Sequence, residues 1–377
     1  MRLNYSLPYI LVAGLMTLML SGCSMMPGED GKERAALRLQ VQSLEARLRA
    51  LEKKQEQVSV AVAKARAAVA FVWGSYTFVD DAGRPLRHVL DEAGEPISDA
   101  QGVPLVDVTG TGSVAVTGYC GTAFLVDGKG SLLTNRHVAE PWWEDESSAP
   151  LLAAGLRPVF IQLRAFFQER SDGVPIEVLR VDTELDVALA RTFGWIPDAE
   201  PLGAHPDSER VREGQPVFLV GYPTGLDAVV ARLDYKEQAE LEKATGSSDY
   251  AKALLLAQRQ QLRPSITGGF LWEVLPHTLV YDAHTTGGSS GGPVLDRQGR
   301  VIAINAAYLS GFRGINYGIP IKVGQELLQG RGRTAEGPTR ETPKIIQESK
   351  GNHQGSLTTP LHRPSIPAPR FSAKVSP

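Results

Sequence analysis

The apolar positions change their spacing several times along the chain. Leu37, Val41, Leu44, Leu48, Leu51, Val58, Val62, Ala65 and Val69 advance by alternating steps of four and three, with Gln55 filling one place on the same seam. A 3.5-residue period predicts a helix with a narrow apolar stripe, the spacing of a coiled coil. Arg38, Glu45, Arg47, Arg49, Glu52, Lys53 and Lys54 keep the other faces polar. Such a stripe has two uses. It can join copies of the chain, with Gln55 fixing register, or it can form a stalk that packs on the chain's own domain. The weakening of the seam to Val and Ala after Leu51 keeps the second use open.

At Val69 the pattern becomes that of strands. Ala70-Phe71-Val72-Trp73 and Tyr76-Thr77-Phe78-Val79 are rich in strand formers. A short internal repeat follows: Ala82-Gly83-Arg84-Pro85-Leu86, Ala93-Gly94-Glu95-Pro96-Ile97 and Gln101-Gly102-Val103-Pro104-Leu105. Gly supplies turn geometry and Pro holds the residue before it extended, so residues 80–111 are expected as hairpin-like loops. Short strands continue from about Val114 to Ile319. Residues 232–262 interrupt them with two helix-forming runs on either side of Gly246-Ser247-Ser248-Asp249, a helical hairpin whose second helix Ser247 or Ser248 would cap. Residues 331–377 are rich in Pro, Thr, Ser and basic residues, with almost no aromatic ones, and are expected to be disordered.

Composition narrows the class. Of 377 residues, 42% are hydrophobic and 21% charged, which is enough to bury a sizeable core. The 38 glycines and 25 prolines suit an all-β body with many turns. A net charge of only -3 gives no electrostatic footprint for nucleic acid, so no nucleic-acid partner is expected. No His-Glu-x-x-His or paired-cysteine spacing is present, and neither a metal nor a cofactor is expected.

The first residues read as an export signal. Arg2 precedes an apolar stretch from Leu7 to Leu20, interrupted by Pro8 and shorter than the roughly 20 residues that span a bilayer. Leu20-Ser21-Gly22-Cys23 resembles the lipobox of bacterial lipoprotein precursors. The resemblance implies removal of residues 1–22 and acylation of Cys23, which would hold the chain on a membrane; several acyl chains bind far more firmly than one. Ser24, rather than Asp, after the cysteine points to the outer membrane, facing the periplasm. With Cys23 so used, Cys120 is left as a small buried apolar residue.

Three segments carry the chemistry. Gly288-Ser289-Ser290-Gly291-Gly292-Pro293 surrounds a serine with glycines, which allow a tight turn and leave room for a substrate. A serine hydroxyl needs a base to remove its proton and N–H donors for a developing oxyanion. Ser290 is the candidate nucleophile, and the N–H groups of Gly288 and Ser290 are the candidate oxyanion hole. His137 follows the apolar run Leu132-Leu133, and Asp186 precedes Val187-Ala188-Leu189-Ala190. Each alone is ordinary. Together they occur in the order His, Asp, Ser, one of the orders that convergent triads take.

With these residues the chain resembles trypsin-like proteases of the HtrA (high-temperature-requirement) type. Gly121-Thr122-Ala123-Phe124-Leu125-Val126 with Leu133-Thr134-Asn135-Arg136-His137-Val138 resembles the family's histidine motif, and Asp182 to Leu189 its aspartate motif. Val220-Gly221-Tyr222-Pro223-Thr224-Gly225-Leu226 resembles the turn opening the second barrel. Asp282-Ala283, Val301 to Ala307 and Asn316-Tyr317-Gly318-Ile319-Pro320 resemble the segments around the serine. The likeness covers roughly residues 114–325.

It implies an all-β, chymotrypsin-like fold of two antiparallel six-stranded barrels, behind an N-terminal coiled-coil helix at 23–68 and with a helical insertion in the second barrel. The domain would run over 69–330, with the first barrel at about 69–195 and the second at about 196–330. The activity implied is that of a serine endopeptidase acting on proteins or peptides of the bacterial envelope, with a part in protein quality control. His137, Asp186 and Ser290 would be the triad. His284, Asn305, Ala306 and Ala307 would line the pocket for the residue before the scissile bond. The small alanines and the lack of an Asp at 284 suggest an aliphatic preference, although a lone His such as His284 is also the kind of residue found satisfied in a core. Two departures stand out. Ser289 replaces the family's usual Asn or Asp, and 331–377 is too short and polar for the PDZ domain that commonly follows.

Overall fold

The computed structural model describes residues 30–143, 145–205, 211–308, 314–331 and 334–337. The chain divides into two compact units, residues 1–57 and 58–377. The signal segment, Cys23 and residues 338–377 lie outside the described residues.

Helix α1 runs from Asp30 to Ala65, through a segment that lacks Gly and Pro from Lys32 onward. In the first unit Leu37, Leu44, Leu48 and Leu51 are 51–63% exposed. In the second unit the same stripe is covered: Val62 and Ala65 are buried in the main core, and Val58 packs against it. One turn of 3-10 helix (Arg66–Ala68) leads into the sheet.

The first barrel follows. Strand β1 (Val69–Val79) is almost wholly buried. Next come a short pair, β2 (Arg87–His88) and β3 (Val106–Asp107), then β4 (Thr117–Leu125) and β5 (Ser131–Thr134). Helix α2 (Arg136–Ala139), helix α3 (Ala149–Ala153) and strands β6 (Arg157–Phe166), β7 (Val174–Asp182) and β8 (Ala188–Thr192) complete the unit. The antiparallel order β7-β6-β1-β4-β5-β8 closes through β7–β8. Strand β1 explains its own unbroken apolar run. Ala70 and Val72 fill one core, Val69 and Phe71 another, so both of its faces are covered.

Residues 80–111 form tight turns between β1 and β4. Gly83, Gly94 and Gly102 have φ of 78°, 84° and 80°. Each repeat is closed by an aspartate ahead of it. Asp91 Oδ1 accepts the N–H groups of Ala93 (2.8 Å) and Glu95 (2.9 Å), and Asp99 Oδ1 those of Gln101 (2.9 Å) and Val103 (2.8 Å). Antiparallel bridges Val79–Pro85, Leu90–Pro96 and Ser98–Pro104 mark the necks of the three turns.

The second barrel begins with β9 (Pro216–Gly221). A one-turn helix α4 (Asp227–Val230) precedes the expected hairpin of α5 (Tyr235–Thr245) and α6 (Asp249–Gln258). Asp234 and Glu237 form a reciprocal capping box on α5. Ser248 caps α6 by accepting from Ala251 N at 3.2 Å. Strands β10 (Ser265–Val274), β11 (Leu279–Tyr281), β12 (Pro293–Leu295), β13 (Val301–Tyr308) and β14 (Asn316–Pro320) then close the barrel in the order β10-β11-β14-β13-β12-β9. Two closed six-stranded antiparallel barrels in succession make the fold chymotrypsin-like.

The end of the described chain departs from expectation. Helix α7 (Ile321–Leu328) packs on β7 and β8 of the first barrel, and Arg180 Nη1 donates to Leu327 O at 3.4 Å. Residues Thr334–Glu336, expected within a disordered tail, form strand β15 against β7. Unpaired backbone on the edge of β7 gives those residues hydrogen bonds that their composition alone does not predict.

The main core lies between the barrels. Phe71 is fully buried there, with its ring 6.2 Å from that of Phe166 and 5.2 Å from that of Tyr222. Truncation at Phe71 removes both contacts and leaves a cavity. Phe71→Ala is expected to lower stability by about 3–5 kcal/mol, read from urea unfolding curves.

Candidate active site

His137 lies on α2, the single turn that follows β5. Its N-cap residue, Asn135, is fully buried and makes no side-chain capping bond to the helix, and its Nδ2 donates to Asp186 O at 2.8 Å. Asp186 sits in the turn between β7 and β8. That turn is shaped by Asp182, whose Oδ1 accepts from Glu184 N (2.9 Å) and Leu185 N (2.8 Å). Arg136 ties the two segments together through Asp182 O (3.1 Å) and Glu140 (2.7 Å), with its guanidinium 4.7 Å from the ring centre of Trp143.

The Asp186 carboxylate holds His137 at two points. Oδ1 accepts the backbone N–H of His137 at 2.9 Å, and Oδ2 lies 2.7 Å from Nδ1. Two bonds to one residue fix the ring plane and assign the Nδ1 proton to the Asp186 side, leaving Nε2 as the free base when the ring is neutral. The imidazole is 26% exposed. Its burial lowers its pKa, but the Asp186 charge and the hydrogen bond together outweigh burial and hold it above 6.5.

Ser290 lies in the loop between β11 and β12, and that loop rests on the His137 segment. Thr122 N on β4 donates to Ser290 O at 2.8 Å. Gly291, at φ 84°, approaches so closely that a Cβ there would lie 2.1 Å from Thr122 O, 2.2 Å from Thr134 Oγ1 and 3.1 Å from Asn135 N. Only glycine fits. The loop carrying Ser290 is thereby set against the strand end that delivers His137. Ser290 Oγ donates to Ala306 O at 3.4 Å; among the described residues no hydrogen bond joins it to His137. Apo sites often hold such pairs loosely. Gly288, at φ 92°, is equally constrained, since a Cβ would lie 2.5 Å from Tyr222 O. Neither Gly288 N nor Ser290 N is spent on another described group.

The expected pocket residues divide. Asn305 is buried. It accepts from the Tyr281 hydroxyl and donates to Ser289 O at 3.0 Å, so it holds the serine loop from behind. Ala306 is half-buried and faces Ser290 through its carbonyl. Ala307 pairs with Tyr317, and its side chain lies outside the described residues. His284 is exposed rather than a core histidine, and its carbonyl accepts from Thr267 Oγ1 at 2.7 Å. Cys120 is half-buried against the main core. Sequence spacing did not bring out Asn135, Arg136, Asp182 or the bracing role of Asn305. The Asp182-x-x-x-Asp186 spacing carried a signal for one of them.

Residues 121–304 match the model of the "Trypsin-like peptidase domain". The match makes this stretch similar to trypsin-like peptidase domains. It contains all three triad candidates. The chain is 26% identical over 211 residues to "Putative serine protease HhoB" of Synechocystis, covering 55% of this chain and 39% of that protein. It is 25% identical over 241 residues to "Probable periplasmic serine endoprotease DegP-like" of Pseudomonas putida, covering 61% and 40%. The chain thus spans about two-fifths of the length of these relatives. Among solved structures it is similar to "HtrA-type protease AlgW with decapeptide", at 19% identity and a TM-score of 0.42 over 72% of this chain and 66% of that one. Both curated relatives carry the names of serine proteases.

A histidine whose folded-state pKa is raised adds stability that is fully present below its unfolded pKa and lost as pH rises through the folded value. NMR titration of the His137 ring is expected to give a pKa above 6.5. In Asp186→Asn the charge is gone while burial remains, so the value should fall; an unchanged titration would detach Asp186 from the imidazole.

Proposed function

We propose that the chain is a serine endopeptidase of the bacterial envelope in which His137, Asp186 and Ser290 act as a triad. The observation that carries the reading is the two-point grip of Asp186 on His137, beside a serine loop whose Gly288 and Ser290 N–H groups are unspent. His137 Nε2 takes the Ser290 proton as Oγ attacks the scissile carbonyl. Asp186 stabilises the imidazolium, which then gives its proton to the leaving amine. Gly288 N and Ser290 N receive the oxyanion, and water releases the acyl-enzyme. Before attack the Ser290 hydroxyl must leave Ala306 O for the imidazole. His284, Ala306 and Ala307 border the pocket in this reading, and an uncharged aliphatic side chain is its preferred occupant.

The site of action follows from two supports. The first is the lipobox-like Leu20-Ser21-Gly22-Cys23. The second is the periplasmic setting named for the Pseudomonas putida relative. Acylated Cys23 would hold the enzyme on the outer membrane, where misfolded envelope proteins are fitting substrates. The bare leucine seam of α1 is suited to joining copies. In a parallel, in-register pairing, Glu33 faces Arg38 of a second copy and Arg47 faces Glu52, so opposite charges flank the seam.

Ser290→Ala is expected to lose on the order of 10⁶ in kcat and all labelling by a fluorophosphonate, while the wild type is labelled and cleaves after aliphatic residues. Near-wild-type peptidase activity in the variant would remove Ser290 from the chemistry, and a cleavage map dominated by Lys or Arg would remove the aliphatic pocket. Sedimentation of the full chain should report an oligomer that Leu44→Glu with Leu48→Glu dissociates; an unchanged mass would leave the seam without that role.

A further inference from the structure

Thr122 lies on β4 in the first barrel, yet most of its hydrogen bonds reach the second. Its side chain is fully buried. The hydroxyl donates to Gly288 O at 2.7 Å and accepts from Tyr222 N at 3.3 Å. Its backbone N–H donates to Ser290 O at 2.8 Å, and its backbone carbonyl accepts from Thr134 Oγ1 at 2.7 Å, one residue before the N-cap of α2. One residue therefore holds the carbonyls of Gly288 and Ser290, whose N–H groups are the candidate oxyanion donors.

We propose that the Thr122 hydroxyl is a positioning group for the oxyanion hole, setting the orientation of the Gly288–Ser289 peptide and through it the aim of the donors. This rests on the peptidase reading above. The physical basis is that Gly288 O and Ser289 N–H belong to one rigid plane, which lies between the two donors: its rotation would turn Gly288 N and Ser290 N relative to each other, and it is held at one side by Ser289 N donating to Thr286 O at 3.2 Å and at the other by Thr122. Gly288 can occupy φ 92° because it is glycine, and that same freedom lets its peptide turn unless something holds it. Tyr222 N fixes the hydroxyl oxygen, so the proton of Oγ1 is directed at Gly288 O. Oxyanion donors act by being fixed before the charge develops, so a donor that must be reoriented gives up part of its effect. Thr122 touches neither substrate nor nucleophile oxygen in this arrangement. It acts through the backbone it holds.

The test compares the full-length wild type with Thr122→Val, which keeps the shape and loses the hydroxyl, and Thr122→Ser, which keeps the hydroxyl. Two readouts are used. In amide hydrogen exchange, the segment Thr285–Pro293 contains the bonded N–H groups of Ser289, Gly291 and Gly292. It should exchange about tenfold faster in the Val variant and at the wild-type rate in the Ser variant, with the strands of both barrels unchanged. In kinetics, the Val variant should lose about 10- to 100-fold in kcat and in fluorophosphonate labelling rate, with KM little altered, and Ser should restore both. Wild-type exchange and labelling in the Val variant would overturn the proposal, as would equal impairment of Val and Ser, which would assign the effect to packing. A wild type that resists labelling would remove the peptidase reading; the exchange comparison would then still uphold or overturn the anchoring of the loop by Thr122.

Discussion

The two barrels meet where Gly291 has no side chain. A single methyl group there would overlap Thr122 O and Thr134 Oγ1, and the strand end that carries His137 would be pushed away from the loop that carries Ser290. Much else follows from this close approach. It lets Thr122 N reach Ser290 O, and it sets the serine loop beside Asn135, whose amide holds the aspartate turn. The site is assembled by backbone contacts across the barrel boundary before any of the three candidate side chains is considered. Several of these buried groups find their partners across the boundary, as Thr122 Oγ1 does with Gly288 O and Tyr222 N.

How much of this was legible in the sequence depends on how local the signal is. His137, Asp186 and Ser290 stand in short motifs whose spacing and order are visible in one dimension. The helical hairpin was equally local, with Ser248 at its second cap and good helix formers on both sides. Residues whose role lies in a partner far along the chain were not legible. Asn305 read as a pocket residue because it lies in the strand Ile304-Asn305-Ala306-Ala307, which the resemblance sets along one wall of the pocket. Its amide in fact turns inward to Ser289 O, and its carbonyl oxygen is met by Tyr281, a residue 24 positions away. Asn135 stood only as one letter of the histidine motif, and its role lies in the bond from its amide to Asp186 O, 51 positions away.

The segment between β1 and β4 shows the opposite balance. The Gly-x-Pro repeat was plain, but its logic lay in Asp80, Asp91 and Asp99 ahead of each repeat, whose carboxylates gather the turn N–H groups. Each turn thus satisfies part of its own backbone, and the bonds Ile97 N to Val89 O (2.9 Å) and Leu105 N to Ile97 O (2.7 Å) join one turn to another. A stretch rich in Gly, Pro and charge can thus be ordered when its turns satisfy their backbone among themselves, whereas Thr334–Glu336 gains order from a neighbouring strand edge.

The return of the chain to the first barrel adds a second, non-covalent link between the barrels. After β14 the polypeptide crosses back through α7 and β15, so the barrels are connected by two spans of chain rather than one. Two bodies on a single tether can open by swinging about it. With a second span docked along β7 and β8, a swing in any direction must stretch or peel one of the two, and the width of the cleft between His137 and Ser290 becomes a geometric constraint written into the connectivity of the chain.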